Sequence, residues 1–357
     1  MQRADRDVAV PLLAMGAPRI PPRSLPFFSR GRRHLAGRQL LVGLAGLLVV
    51  SPALPLESLV SAERELTRMT AAAANLSYRG TATYEQAGAL TTLRVVRAVR
   101  ADRILERIEY LDGPLEEVIR EHGRFGCAGQ GPAADLDPAT ASGRAAMIEH
   151  YQPAFLDEAR IAGRGVVRIR LQPRDHYRYG HLLGIDRQTG LLLQALTLDH
   201  QGRLLERFQF ADIAVGVQIE DAELEPQAAS HRLLRTAGCE SGAAQTSPPG
   251  WRATWVPPGF VSWSAPATPR GTEVMHFTDG FSAFSVFIDA HAAAAPMLEA
   301  RRGATVAYVR LFQGPTDGYW ICVVGEVPMP TARRIAEGIE PRPEASSTVE
   351  VRASGGP

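Results

Sequence analysis

The chain has 357 residues, 45% hydrophobic and 22% charged, with a formal net charge of +1. That is a globular composition with room for two ordinary domains, and the near-neutral balance excludes the basic footprint expected of a nucleic-acid binder. All 39 basic residues are arginine, which reads as the coding bias of a GC-rich genome, since bidentate guanidinium contacts are needed only at single sites.

The first 53 residues read as a signal peptide. Arg30, Arg32, Arg33 and Arg38 precede an apolar and glycine run at 40–50, and Ser51-Pro52-Ala53 has the small-x-small pattern of a cleavage site. At 1.5 Å per residue, such a run spans roughly 16 Å of a hydrocarbon core about 30 Å thick. It therefore suits a signal h-region better than a membrane anchor. Met15 is a second candidate start. The expected destination is the periplasm. In an oxidising compartment, Cys127, Cys239 and Cys322 allow one disulfide, with Cys239–Cys322 the preferred pair because both lie in the C-terminal half; three free buried thiols are the alternative.

The mature chain opens with a helix: Leu56, Leu59, Leu66, Met69 and Ala73 recur at helical spacing, with Asn75 as a stop. Short strands follow at 79–84, 90–99, 103–110 and 117–121, the last two joined by the turn Asp112-Gly113-Pro114. A polar stretch at 130–144 reads as a loop, and 145–160 as a short helical segment. Strands resume at 163–172, 179–186, 191–198 and 204–213, separated by Arg187-Gln188-Thr189-Gly190 and His200-Gln201-Gly202. No βαβ alternation is present, so one bent antiparallel sheet with helices on its concave face is expected over 54–221. Residues 222–250, ending in Ser247-Pro248-Pro249-Gly250, have linker composition. A smaller β-rich domain is expected at 251–341, with strands at 251–255, 274–278, 281–288, 305–312 and 319–326. Its closing helix covers 331–339, with Thr331 as N-cap candidate. Residues 342–357 read as a disordered tail. The fold class is mainly β with helices (α+β).

No GxSxG, HExxH, P-loop or GxGxxG motif occurs, so no catalytic residues, metal ligands or cofactor are expected, and the protein is not read as an enzyme. His176 and His181 read as exposed polar residues, and Asp137 with His150 makes at most half a triad. The pair Glu116-Glu117 and the acidic residues of 220–225 read as solvated. A curved sheet is a natural container for an acyl chain, with Tyr78, Tyr84, Leu90, Phe155, Leu171, Leu183, Leu193 and Phe208 as candidate lining residues or plain core. Pro257-Pro258-Gly259 and Asp279-Gly280 read as turns, and Trp255, Phe260, Phe284 and Phe287 as core. Arg178, Arg333 and Arg334 are the candidates for contact with an acidic partner or a lipid phosphate.

Three sets of segments stand in order along the chain. The first is Asn75-Leu76-Ser77-Tyr78-Arg79-Gly80-Thr81 with Leu111-Asp112-Gly113-Pro114 and Glu117-Val118-Ile119-Arg120. The second is Asp175-His176-Tyr177-Arg178-Tyr179-Gly180 with Gly190-Leu191-Leu192 and Leu205-Glu206-Arg207-Phe208. The third is Trp255-Val256-Pro257-Pro258-Gly259-Phe260 with Asp279-Gly280-Phe281-Ser282-Ala283-Phe284 and Val323-Val324-Gly325-Glu326-Val327-Pro328. Together they resemble the MucB/RseB family of periplasmic regulators of the envelope-stress sigma factor. The long leader, the stretch 127–144 and the linker carrying Cys239 depart from the family pattern.

The resemblance implies a half-open antiparallel barrel similar to LolA and LolB, followed by the smaller β-rich domain. It also implies binding to the periplasmic region of a transmembrane anti-sigma factor, shielding it from proteolysis, and release on a lipopolysaccharide or mislocalised-lipoprotein signal. A homodimer stays open. The alternative is a periplasmic lipid or lipoprotein carrier, for which the domain at 251–341 would be superfluous.

Overall fold

The computed structural model describes residues 56–101, 103–123, 149–227, 231–236, 250–263, 273–289, 298–313 and 318–342. Helix α1 (Leu56–Asn75) presents Ala62, Leu66, Met69 and Ala72 as one buried stripe, the i, i+4, i+7 pattern of a helix laid on a sheet. It stops where the sequence indicated, with Asn75 Nδ2 donating back to the Ala71 carbonyl.

Ten strands follow: β1 (Tyr78–Gln86), β2 (Ala89–Val99), β3 (Arg103–Tyr110), β4 (Glu116–Gly123), β5 (Tyr151–Ile161), β6 (Arg164–Pro173), β7 (Gly180–Asp186), β8 (Leu192–Leu198), β9 (Leu204–Val215) and β10 (His231–Thr236). They form one open sheet in the order β10-β4-β3-β2-β1-β9-β8-β7-β6-β5. Two antiparallel meanders, β1 to β4 and β5 to β9, are fused where β1 pairs β9. At that seam Gly80 lies so close to β9 that a Cβ would sit 2.3 Å from the Asp212 carbonyl oxygen.

Three sequence expectations change. The segment read as helical over 145–160 is strand β5 from Tyr151 onward. Its run Phe155-Leu156-Asp157-Glu158-Ala159-Arg160 has helix-forming composition, but pairing with β6 overrides it. Pro153 is tolerated because β5 is an edge strand. The segment read as linker holds a short 3₁₀ turn (Asp221–Glu223) and β10, which joins β4 in parallel. Glu117, read as solvated, is fully buried: Arg107 Nε donates to its Oε1 at 3.0 Å and the Gln227 amide to its Oε2 at 2.8 Å. That anchor ties the outgoing chain to the sheet, and beneath it Val96, Ala98, Ile219 and Leu224 form a separate apolar cluster.

Asp186 ends β7 as the pivot of the 187–190 turn. It accepts from Arg164 Nη2 at 2.8 Å, from the Thr189 amide at 2.9 Å and from Thr189 Oγ1 at 2.6 Å. Burial opposes its charge, but these donors outweigh that and hold its carboxyl below the usual range.

The second sheet is built from β12 (Val261–Trp263), β13 (Glu273–Thr278), β14 (Ala283–Asp289), β15 (Leu298–Arg302), β16 (Thr305–Gln313) and β17 (Gly318–Gly325), in the order β12-β13-β14-β17-β16-β15. A two-stranded ribbon of β11 (Trp251–Ala253) and β18 (Ile339–Pro341) accompanies it. Helix α2 (Met329–Glu337) buries Thr331, Ala332, Ile335 and Ala336. Pro328, not Thr331, is its N-cap; Thr331 lies in the first turn and is buried. Phe260 and Phe284 are core as expected. Trp255 packs at the edge of that core, and Phe287 is half-buried on the face opposite Phe284, Val286 and Ile288.

Candidate functional site

The two sheets meet at a buried polar contact. The β13–β14 hairpin turn is organised by Asp279, whose Oδ1 accepts the amides of Phe281 at 3.0 Å and Ser282 at 2.8 Å. The turn is the one expected from Asp279-Gly280, and it leaves Oδ2 facing the first sheet. There Arg178 Nη1 donates to Oδ2 at 2.8 Å, and the Tyr151 hydroxyl donates to the same oxygen at 3.0 Å.

Arg178 and Asp279 are 0% and 1% exposed, so this is a desolvated ion pair. Asp175 Oδ2 lies 3.0 Å from Arg178 Nη2, which also donates to the Pro258 carbonyl. The guanidinium lies over the rings of Tyr151 and Phe260. Burial opposes the Arg178 charge; Asp279 first, then Tyr151 and Asp175, more than compensate and raise its pKa. Tyr151 is driven well above the ordinary tyrosine value by burial and by the Asp279 charge.

The same turn carries Phe281 into the first sheet. Phe281 packs with Ala62, Leu66 and Met69 of α1 and with Leu171, Leu183 and Ile185 beneath them. A hairpin of the second sheet thus completes a core of the first. His181 of β7 stacks on Phe281 with centroids 5.2 Å apart, and among the described residues its Nε2 is buried with no hydrogen-bond partner. Burial pushes this imidazole down to about 4, Asp279 acting weakly in the other direction. His181 is therefore not the exposed residue expected; His176 is.

Three further contacts bridge the sheets. Glu206 of β9 accepts from Tyr84 and Gln86 of β1, each at 2.8 Å, and from the Ala304 amide at 2.9 Å. Arg334 of α2 stacks on Trp255 at 4.1 Å and donates to the Tyr177 hydroxyl at 2.7 Å. Gly259, in the expected 257–259 turn, has φ +83° and faces His150; a Cβ there would meet the His150 ring at 2.0 Å.

The expected acyl-lining residues divide into groups. Leu171 and Leu183 are fully buried in the cluster that Phe281 completes, with Phe155 at its margin. Leu193 and Phe208 are buried in a second cluster, where Tyr78 and Tyr84 are partners. Leu90 joins neither and is 63% exposed near the β1–β2 turn. Beside the second cluster lies a charged row that the sequence reading missed. Glu106 stands directly across from Arg97 on one side and Arg120 on the other. All three are buried, and Arg97 also donates to the Ala73 carbonyl of α1 at 2.8 Å. A recess of ≈ 510 Å³ lies elsewhere, between β3, β4 and the 221–226 segment, with Arg100, Leu105, Ile119 and Leu224 among its walls.

Of the candidate partner-binding arginines, Arg178 is internal and committed to the sheet contact, whereas Arg333 and Arg334 are exposed. Arg333 pairs with Glu299 at 2.6 Å. Cys322 is a free thiol within β17, its pKa raised by burial to about 11. The expected partner Cys239, and Asp137 of the half-triad, lie outside the described residues. Among the described residues, no helix is long and apolar enough to cross a membrane.

The family model for the MucB/RseB N-terminal domain matches residues 61–228, and that for the MucB/RseB C-terminal domain matches 245–340. The chain is 34% identical over 320 residues to the sigma factor AlgU regulatory protein MucB of Pseudomonas aeruginosa, covering 86% of this chain and 98% of that protein. The chain belongs to the MucB/RseB family. Within the family, the sigma-E factor regulatory protein RseB of Escherichia coli K12 is 26% identical over 297 residues, covering 77% of this chain and 89% of RseB. The solved complex of Pseudomonas aeruginosa MucA/MucB superposes with a TM-score of 0.64 at 32% identity, covering 79% of this chain and 99% of that one. MucB in its crystal structure without a named partner gives 0.60 at 31% identity, covering 79% and 98%.

Proposed function

We propose that this MucB/RseB protein is a periplasmic regulator that binds the periplasmic region of a membrane-spanning anti-sigma factor. In that role it shields the partner from proteolysis and releases it when a lipid or lipoprotein signal arrives. The observation that carries the reading is likeness to MucB solved with MucA over 79% of this chain and 99% of that one. The chemistry is that of binding, not catalysis. The exposed Arg333 and Arg334 on α2 are the candidates for meeting the partner, while Arg178 acts from inside by fixing how the sheets dock.

The acyl signal would enter between α1 and the first sheet, where Leu171 and Leu183 already meet Phe281. A chain inserted there competes with Phe281, so ligand binding and sheet docking are coupled, and the coupling is reciprocal. A simple carrier fits less well, because the core of its container would not depend on a hairpin from a second sheet. Titration calorimetry with the periplasmic segment of the cognate anti-sigma factor tests the reading. No binding at roughly tens of micromolar refutes it.

A further inference from the structure

We propose that the contact between the two sheets is an acid-sensitive latch whose proton acceptor is His181. The docked arrangement accommodates only the neutral imidazole, and protonation drives the second sheet away from the first.

The surroundings of the ring disfavour a charge on it. Its own strand, β7, has β6 and β8 as neighbours, placing Leu171 and Thr197 across from His181. Phe281 covers one face of the ring, and Tyr151 of β5 lies 5.9 Å away. The charged groups nearby are Asp279 on the hairpin, and Arg178 and Asp175 on the 174–179 loop. None is available to an imidazolium. Asp279 already takes four donors: two backbone amides, the Tyr151 hydroxyl and the Arg178 guanidinium. Asp175 is engaged by Arg178 and by the Tyr177 amide. Arg178 itself is a cation over the same Tyr151 ring, so a second cation here adds repulsion. The burial that lowers the affinity of His181 for a proton agrees with this geometry.

Opening the contact exposes the ring to water, where it takes up a proton at its ordinary pKa of about 6.5. Acid therefore favours the open form, beginning as pH falls below that value and continuing down to about 4. Between about pH 7 and pH 5.5 the open-to-docked ratio should rise about eightfold.

The test is hydrogen exchange at the Ala304 amide in the intact mature chain, since that amide donates across the contact to Glu206. Exchange is corrected for its intrinsic pH dependence. The wild type should show the eightfold rise, whereas His181→Phe, which keeps the stack, and His181→Gln should show none. A flat wild-type profile, or the same rise in either variant, overturns the proposal. So does a direct NMR titration of the wild-type His181 ring with a midpoint near the unperturbed value, a measurement that needs no variant to fold.

Discussion

Replacing Asp279 with alanine removes a carboxylate that is 1% exposed and accepts four hydrogen bonds. Arg178 is left 0% exposed, with Asp175 as its remaining carboxylate, and the Tyr151 hydroxyl and two turn amides lose their acceptor. Removing one partner of a buried pair typically costs about 3–5 kcal/mol, because the surviving charge stays desolvated. Asp279→Ala should therefore lower the stability of the docked chain by about that amount in urea unfolding at neutral pH. Arg178→Met should cost a similar amount alone. Combining the two removes both charges, so the double variant should lose less than the sum of the singles by about 2 kcal/mol or more. If Asp279→Ala stays within about 1 kcal/mol of the parent, or the singles simply add, the latch is not the desolvated ion pair described above.

Four other outcomes follow from the geometry. Phe281→Ala should cost about 3 kcal/mol in the same unfolding assay and increase exchange at the Ala304 amide, because it leaves a hole beneath α1. Gly259→Val should weaken docking more than Arg334→Ala. The first forces a branched side chain into a positive φ against the His150 ring, while the second removes one partly exposed stack worth about 1 kcal/mol, with Trp255 fluorescence as readout. Gly80→Ala should disrupt the β1–β9 seam and lose cooperative unfolding by circular dichroism. Asp186 has a depressed pKa in the folded state, so its contribution is present above the unfolded carboxylate value of about 3.9 and is lost as pH falls below it. Asp186→Asn should accordingly flatten the acid limb of the stability profile, and an unchanged limb refutes that assignment.

Most strands of the first half, though not their order in the sheet, were legible because their signals are local. Alternating burial and turn residues such as Asp112-Gly113 and Thr189-Gly190 mark strands and hairpins without reference to the rest of the chain. Helix α1 was legible from its 3.6 periodicity. What stayed hidden was decided by distant partners. Strand β5 has helix-forming residues and becomes a strand only because β6 offers it an edge. Strand β10 sits in a stretch of linker composition and pairs with a strand more than 100 residues away, as His231 opposite Glu117 shows. Glu117 and His181 are polar letters that composition assigns to the surface, and only the covering segments bury them. Arg178 was singled out by type and by the family pattern, but its role as an internal clasp depends on Asp279, which lies across the sheet contact. Arg97, Glu106 and Arg120 fall in register across three strands, a coincidence invisible until the pairing is known.

The parallel docking of β10 on β4 also limits how far the two halves can separate. Since the chain is held to the first sheet up to Thr236 and re-enters a strand at Trp251, residues 237–250 alone set the leash. Fully extended, such a leash reaches about 50 Å at roughly 3.5 Å per residue. A second sheet released from its latch therefore stays covalently within that distance of the first. Opening is then a concentration-independent event that reverses as soon as its cause is removed, and resetting the protein requires no search for a lost partner.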